Sequence, residues 1–332
     1  MRAIRCEAWG GPEVLRLADV PDPIATAGTV LVETRAAGVN FADLLMIAGK
    51  YQENPRLPFT PGFEVAGVVR AVGVGVEGWR AGDRVMGMVP HGAWADCVPV
   101  PADQCFGMPP ALDFAAAAGF PVAWGTAYGA LVWRARLRPR ETLLVFGAAG
   151  GVGLAAVAIG QALGATVIAV AAGADRLAAA ARQGATHLLD RNHEDVADRV
   201  MALTSGQGAD VVVDPVGGPA FESGLRCIAS EGRLVVVGFA SGQVGSLSAG
   251  VALGRNIDLI GCYWGAYRGK DAPRVRRAYE ELGRWVEAGR VTVPAPACLP
   301  LAQAAEALDR LRRRTAPGKV VLTMGPADQP AG

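Results

Sequence analysis

The stretch Thr142-Leu-Leu-Val-Phe-Gly-Ala-Ala-Gly-Gly-Val-Gly153 decides how this 332-residue chain folds. Residues 143–146 are apolar and read as a buried strand. A glycine-rich turn follows, then a helix expected over 151–163 and a second strand over 166–171. Strand, tight turn, helix and strand make a βαβ unit. At the start of such a helix, backbone N–H groups and the helix dipole together attract an anion. Gly150 would let the backbone approach a pyrophosphate, and Gly153 would let the helix pack closely on the strand. The first position of the GxGxxG fingerprint holds Ala148, with Gly147 just before it, so the motif reads AAGGVG. Ala149, Gly150, Gly151, Val152 and Gly153 are therefore the expected dinucleotide-binding segment.

The end of the second strand bears on which nicotinamide is used. An NAD site places an acid there, about 20 residues past the glycines, on the ribose 2′-hydroxyl. Here the chain runs Ala171-Ala-Gly-Ala-Asp-Arg176. Gly173 leaves room for a 2′-phosphate, Arg176 offers a bidentate donor, and Arg191 after the third strand is a second cation. Asp175 is the nearby acid, in the position of an ordinary helix N-terminal cap. NADPH is the expected cofactor.

Outward from this unit, strands and helices alternate. Strands are expected over 187–189, 211–214 and 233–237, with helices over 176–183 and 196–203, as in a doubly wound parallel sheet. The first 120 residues differ in texture. Short runs such as Val30-Leu-Val-Glu-Thr34 and Glu64-Val-Ala-Gly-Val-Val69 lie between Gly and Pro punctuation, as in antiparallel β structure. The tail has helical patterns over 275–288 and 301–311 and an apolar strand over 320–323. The expected architecture is α/β, with a nucleotide-binding domain at 123–255 inserted into a β-rich domain made of 1–122 and 256–332.

Composition excludes several classes. Net charge is +1 and only 19% of residues are charged, so no global field draws the chain to nucleic acid or an anionic membrane. Arg312-Arg-Arg314 is the one basic cluster. The charge-free stretches 114–133 and 142–174 are interrupted by Pro121 and by seven glycines respectively, which argues against a membrane span. Six scattered cysteines without a CxxC pair point to reduced thiols and a cytoplasmic protein.

Several segments, taken in order, resemble the zinc-free NADPH:quinone oxidoreductases (zeta-crystallin-like) of the medium-chain dehydrogenase/reductase superfamily. They are Ala37-Gly-Val-Asn-Phe-Ala-Asp43, Pro61-Gly-Phe-Glu-Val-Ala-Gly67, Ala81-Gly-Asp-Arg-Val85, Gly125-Thr-Ala-Tyr128, the glycine turn, Asp214-Pro-Val-Gly-Gly218, Val237-Gly-Phe239 and Gly318-Lys-Val-Val-Leu322. The resemblance implies a GroES-like β-rich catalytic domain plus a Rossmann domain, a cofactor cleft between them, and a homodimer or homotetramer. Zinc-dependent relatives carry Cys where this chain has Asn40, and Gly-His-Glu where it has Gly62-Phe-Glu64. The closely spaced four-cysteine loop is also missing. No metal is expected.

By position in the family motifs, Asn40 and Tyr51 would meet the substrate, Asn40 as a hydrogen-bond donor and Tyr51 as a donor of a hydrogen bond or proton. The other reading of Asn40 is a cap on the helix starting at Phe41. Thr126, Gly238 and Phe239 would line the nicotinamide, and Lys319 would sit near the cofactor's phosphates. Tyr263 and Trp264 are candidates for an aromatic wall, or else packing aromatics. Glu64 looks buried and receives no catalytic role. The implied reaction is metal-free hydride transfer from NADPH to a quinone. The alternative is reduction of activated C=C bonds in enones, acrylates or haloacrylates, for which Arg268 is the one candidate carboxylate anchor. A crystallin-like binding or structural role is a third reading.

Overall fold

In the computed structural model, residues 1–315 and 317–325 are described; Ala316 and 326–332, the end of the expected 256–332 segment, lie outside them. The chain forms two units. Unit 1 is Met1–Val122, Tyr267–Glu287 and Val293–Gly332; unit 2 is Ala123–Ala266 and Ala288–Thr292.

Unit 1 opens with an antiparallel pair, β1 (Arg2–Cys6) and β2 (Leu15–Asp19). The long strand β3 (Thr29–Val39) leads directly into α1 (Phe41–Ile47). β4 (Glu64–Val72), β5 (Arg84–Met88), β6 (Cys97–Pro101) and β7 (Cys105–Gly107) follow, then α2 (Phe114–Ala118) and α3 (Phe120–Tyr128), within which the chain passes into unit 2. β3 bears β4 and β6 antiparallel, and its register with β4 shifts between Thr34 and Ala36. Beside that irregularity a Cβ on Gly67 would lie 2.0 Å from the Glu33 carbonyl oxygen, so only glycine fits the approach. Val30, Val32, Val65, Val85, Trp94 and Val98 fill the core.

Unit 2 is a six-stranded parallel sheet. Its elements are β8 (Thr142–Val145), α4 (Gly151–Ala162), β9 (Thr166–Ala171), α5 (Ala174–Arg182), β10 (His187–Asp190), α6 (Val196–Leu203), β11 (Ala209–Asp214), α7 (Pro219–Cys227), β12 (Ile228–Val236), α8 (Ala249–Arg255) and β13 (Asp258–Gly261). The strand order is β10-β9-β8-β11-β12-β13, which counted from β8 is the doubly wound order 3-2-1-4-5-6. Leu143, Leu144, Val145 and residues 211–213 are fully buried, as a sheet covered on both faces requires. Burying each such side chain stabilises by roughly 1.5–3 kcal/mol.

Two differences from the sequence reading have local causes. β12 begins at Ile228, five residues before the expected strand, because Ser230-Glu-Gly232 looks like a turn but forms an irregularity with Glu231 at φ +59°. The second boundary falls at Ala266/Tyr267 and not at 255/256. β13 supplies a sixth parallel strand to unit 2, pairing Asp258 with Arg233 and Leu259 with Leu234.

The chain returns to unit 1 with α9 (Ala272–Glu287), β14 (Ala297–Pro300), α10 (Ala304–Arg313) and β15 (Val320–Thr323). β15 joins β3 antiparallel and β14 lies parallel to β15, with α10 as the crossover that a parallel pair needs. Among the described residues, no helix is long and apolar enough to cross a membrane.

Candidate functional site

In unit 2 the chemistry-bearing turn lies at the end of β8. Gly147 has φ +58° and Gly150 precedes the first turn of α4 in extended conformation, with no side chain capping that helix. A Cβ on Gly153 would lie 2.2 Å from the Gly147 carbonyl oxygen and 2.7 Å from the Ala148 Cα. Glycine there lets α4 start directly behind the turn. A Cβ on Gly150 would meet only the Gly147 oxygen, at 3.4 Å, so Gly150 presents open backbone. This turn stands between β8 and β11, where the strand order reverses and doubly wound sheets bind ligands.

At the end of β9, Gly173 has φ +85° and opens α5. Arg176 is half-buried on α5, while Arg191 and Asp175 are exposed. One acid was missed by the sequence reading. Parallel pairing sets Asp190 opposite Ala171, and its carboxylate accepts from the Gly173 N–H at 3.1 Å and the Asn192 N–H at 3.0 Å. These bonds, first that from Asn192, hold the carboxyl below the usual range, helped by His193 and Arg191. Its charge is thus engaged by backbone donors. Only the pairing of β9 with β10 reveals it; sequence spacing from the glycine turn does not.

Asp214 ends β11, fully buried, and accepts from the Val216 and Gly217 N–H groups at 2.7 and 2.9 Å. Its other oxygen is buried without a hydrogen bond, and burial pushes the carboxyl up. The Phe239 ring lies over Gly217, whose Cβ would meet it at 2.9 Å, and Gly238 passes near the Pro215 carbonyl. Phe239 remains 37% exposed, whereas Thr126 is buried in α3. Tyr263 is half-buried after β13. Trp264 is 5% exposed, 5.2 Å from the Trp133 ring and against Gly129, which is the packing role and not that of an open wall.

Unit 1 contains a buried polar cluster around Asn40. Asn40 precedes α1 in extended conformation, and its N–H is accepted by Asp43 at 2.8 Å, so the N-x-x-D spacing is a capping signature. The Asn40 Nδ2 donates to Glu64 Oε1 at 2.9 Å, and Lys319 Nζ donates to Asn40 Oδ1 at 2.5 Å. Lys319 Nζ is also 2.5 Å from Glu64 Oε1, and the Val122 N–H donates to Glu64 Oε2 at 2.7 Å. Glu64 is fully buried and the Lys319 side chain is 11% exposed. Lys319, expected near the cofactor's phosphates, has its ammonium against Glu64 and Asn40. Tyr51 is half-buried with its ring edge-on to Phe63 at 5.3 Å. Arg268, the candidate carboxylate anchor, is taken by Glu53 at 2.9 Å and by the Val89 carbonyl at 2.9 Å.

Asp43 was not singled out from sequence, yet it is fully buried, and its other oxygen accepts from the Gly62 N–H at 3.1 Å. Burial pushes its carboxyl up to about 7, against the pull of both N–H donors and Lys319. The folded value exceeds the ordinary 3.8, so Asp43's stabilising contribution is complete below about pH 4 and lost as pH rises through about 7. The difference in thermal midpoint between wild type and Asp43→Asn is therefore expected to fall over that window and then flatten. A difference that grows with pH would mean that the N–H donors and Lys319 outweigh burial.

Two family models match the chain: the alcohol dehydrogenase GroES-like domain over residues 26–110, and the zinc-binding dehydrogenase model over residues 151–286. The chain is 37% identical over 324 residues to quinone oxidoreductase-like protein 2 homolog of Nematostella vectensis, covering 97% of this chain and 88% of that protein. Escherichia coli quinone oxidoreductase, solved with NADPH, superposes with a TM-score of 0.90 at 30% identity, over 97% of this chain and all of that one. The chain belongs to the zinc-free quinone oxidoreductase family. It is an oxidoreductase of the medium-chain type. CurK enoyl reductase also superposes, with a TM-score of 0.88 at 26% identity over 98% of this chain and 99% of that one.

In this chain the residues do not fit a catalytic zinc. Among the described residues no three His, Cys, Asp or Glu side chains are grouped to hold a metal ion. Glu64 carries the Lys319 ammonium, and its neighbours Asn40 and Phe63 are poor ligands beside the usual His, Cys and carboxylate set.

Proposed function

We propose that this protein reduces quinones with NADPH. The observation that carries the reading is the uncapped start of α4, open at Gly150 and closed on Gly147 by Gly153, at the switch point of a 3-2-1-4-5-6 sheet. Residues 149–153 would hold the pyrophosphate, Gly173, Arg176 and Arg191 the 2′-phosphate, and Thr126, Gly238 and Phe239 the nicotinamide. NADPH, when bound, supplies the hydride. Asn40 then donates a hydrogen bond to the acceptor's carbonyl oxygen as negative charge develops there. Tyr51 and Tyr263 are the aromatic residues assigned to the acceptor.

Reduction of an activated C=C bond is the second reading, favoured by the likeness to CurK enoyl reductase. Arg268, the one candidate anchor for acrylates, is held by Glu53, and quinones or simple enones stay ahead. The test is steady-state oxidation of NADPH and NADH with ortho- and para-quinones, simple enones and acrylates as acceptors. Turnover confined to enones or acrylates would transfer the enzyme to the second reading. In the same assay Arg176→Ala is expected to raise KM for NADPH about 10- to 100-fold, the value of one charge-assisted hydrogen bond, and to leave NADH unchanged. Equal effects on both cofactors would remove Arg176 from the 2′-phosphate.

We further infer a homodimer in the cytoplasm. β13 is an edge strand with Leu259 48% exposed, and α8 buries none of its residues while Leu253 is 79% exposed. The cysteines are free thiols, in keeping with a reducing compartment. Leu259→Lys is expected to convert the dimer to a folded monomer in sedimentation velocity. An unchanged dimer would move the interface elsewhere.

A further inference from the structure

The side-chain amide of Asn40 can be turned either way by rotation about its last bond, and only its neighbours decide which end is the donor. Here both neighbours are charged. Lys319 Nζ has protons only to give and lies 2.5 Å from one end; Glu64 Oε1 can only accept and lies 2.9 Å from the other. The reversed amide would set NH2 against an ammonium and a carbonyl oxygen against a carboxylate. Two glycines make the space for this pair. A Cβ on Gly38 would lie 2.2 Å from Glu64 Oε1, and one on Gly119 would lie 2.6 Å from Lys319 Cγ. Both Glu64 oxygens are engaged, the second by the Val122 N–H, and the side chain is fully buried.

We propose that Lys319 and Glu64 are positioning residues: as a buried ion pair they lock the Asn40 amide so that its remaining Nδ2–H is the donor offered to the acceptor oxygen. Asn40 is 9% exposed, so the cluster does not enclose it completely. The ammonium against Oδ1 also polarises the amide and strengthens the free N–H as a donor. This inference rests on the quinone-reductase reading for the identity of the acceptor, but the locked amide itself does not.

The test combines kinetics with a measurement that needs no turnover. Lys319→Met is expected to lower kcat about 10- to 100-fold, the range seen when a developing oxyanion loses good donor geometry, with KM for NADPH unchanged. In an Asn40→Ala background the same substitution should cost nothing further, because the residue it positions is gone. Additive losses would overturn the proposal. So would a raised KM for NADPH at constant kcat, which would return Lys319 to a phosphate contact. If Lys319→Met does not fold because it strands the Glu64 charge, the double variant Lys319→Met/Glu64→Gln removes both charges and is read in the same way.

The second measurement is the nitrogen–proton spectrum of side-chain amides, with Asn40 assigned by its loss in Asn40→Ala. Its two amide protons should be widely separated in wild type and should collapse towards each other in Lys319→Met but not in the exposed control Lys50→Met. An Asn40 signal indifferent to Lys319 would overturn the lock even in a protein that reduces no quinone. A shifted signal without quinone turnover would preserve the lock and sink the assigned acceptor.

Discussion

Gly153→Ala is expected to abolish NADPH binding, weakening it at least 100-fold in a fluorescence titration, and to lower the thermal midpoint. The added methyl would meet the Gly147 oxygen at 2.2 Å, the Ala148 Cα at 2.7 Å and the Gly147 carbonyl carbon at 2.8 Å. All three are backbone atoms of the turn, so no flexible side chain can swing aside, and either α4 or the turn must move. Overpacking of this kind costs about 1–3 kcal/mol in stability. It also displaces the N–H groups that would meet the pyrophosphate. Gly150→Ala is the informative partner. Its methyl meets only the Gly147 oxygen at 3.4 Å, so that variant should keep its thermal midpoint and lose affinity alone. A Gly153→Ala protein that bound NADPH normally would contradict the assignment of this turn.

Asn40→Ala is expected to reduce kcat for quinones about 100- to 1000-fold, the loss seen when an oxyanion donor is removed, while NADPH affinity stays within about twofold of wild type. The variant should fold. Glu64 keeps the Lys319 ammonium at 2.5 Å and the Val122 N–H at 2.7 Å, so removing the amide strands no buried charge. Alanine does not remove the Asp43 carboxylate that accepts from the residue-40 N–H, and α1 keeps that cap. Single-turnover kinetics from preformed enzyme–NADPH complex would isolate the step. Unchanged single-turnover rates would reduce Asn40 to a cap residue.

How much of this was legible in the sequence depends on the distance over which each residue finds its partner. The strand–turn–helix at 142–153 is local, and its glycines report a steric requirement that the chain itself carries. Asn40 and Lys319 were each legible as members of family motifs. Their hydrogen bond was not, because 279 residues separate them and only the pairing of β15 with β3 brings them together. The contacts of the Lys319 ammonium with Asn40 and Glu64 are likewise invisible in the sequence. Arg268 looked available as a cation because nothing in the sequence ties it to Glu53, 215 residues earlier. Asp190 escaped notice for a related reason. It lies 19 residues beyond Ala171 in the chain yet directly opposite it in the sheet. α8 and β13 were missed because their apolar residues face outward: Leu253 and Leu259 break the buried pattern by which the other strands were recognised.

The most direct test of the central claim is anaerobic mixing of the purified protein and one equivalent of NADPH with a para-quinone, following the nicotinamide and quinone absorbances together. One NADPH is expected to be consumed for each quinone reduced, faster than with NADH. Persistence of NADPH in the presence of excess quinone, with enzyme shown to be folded, would contradict it.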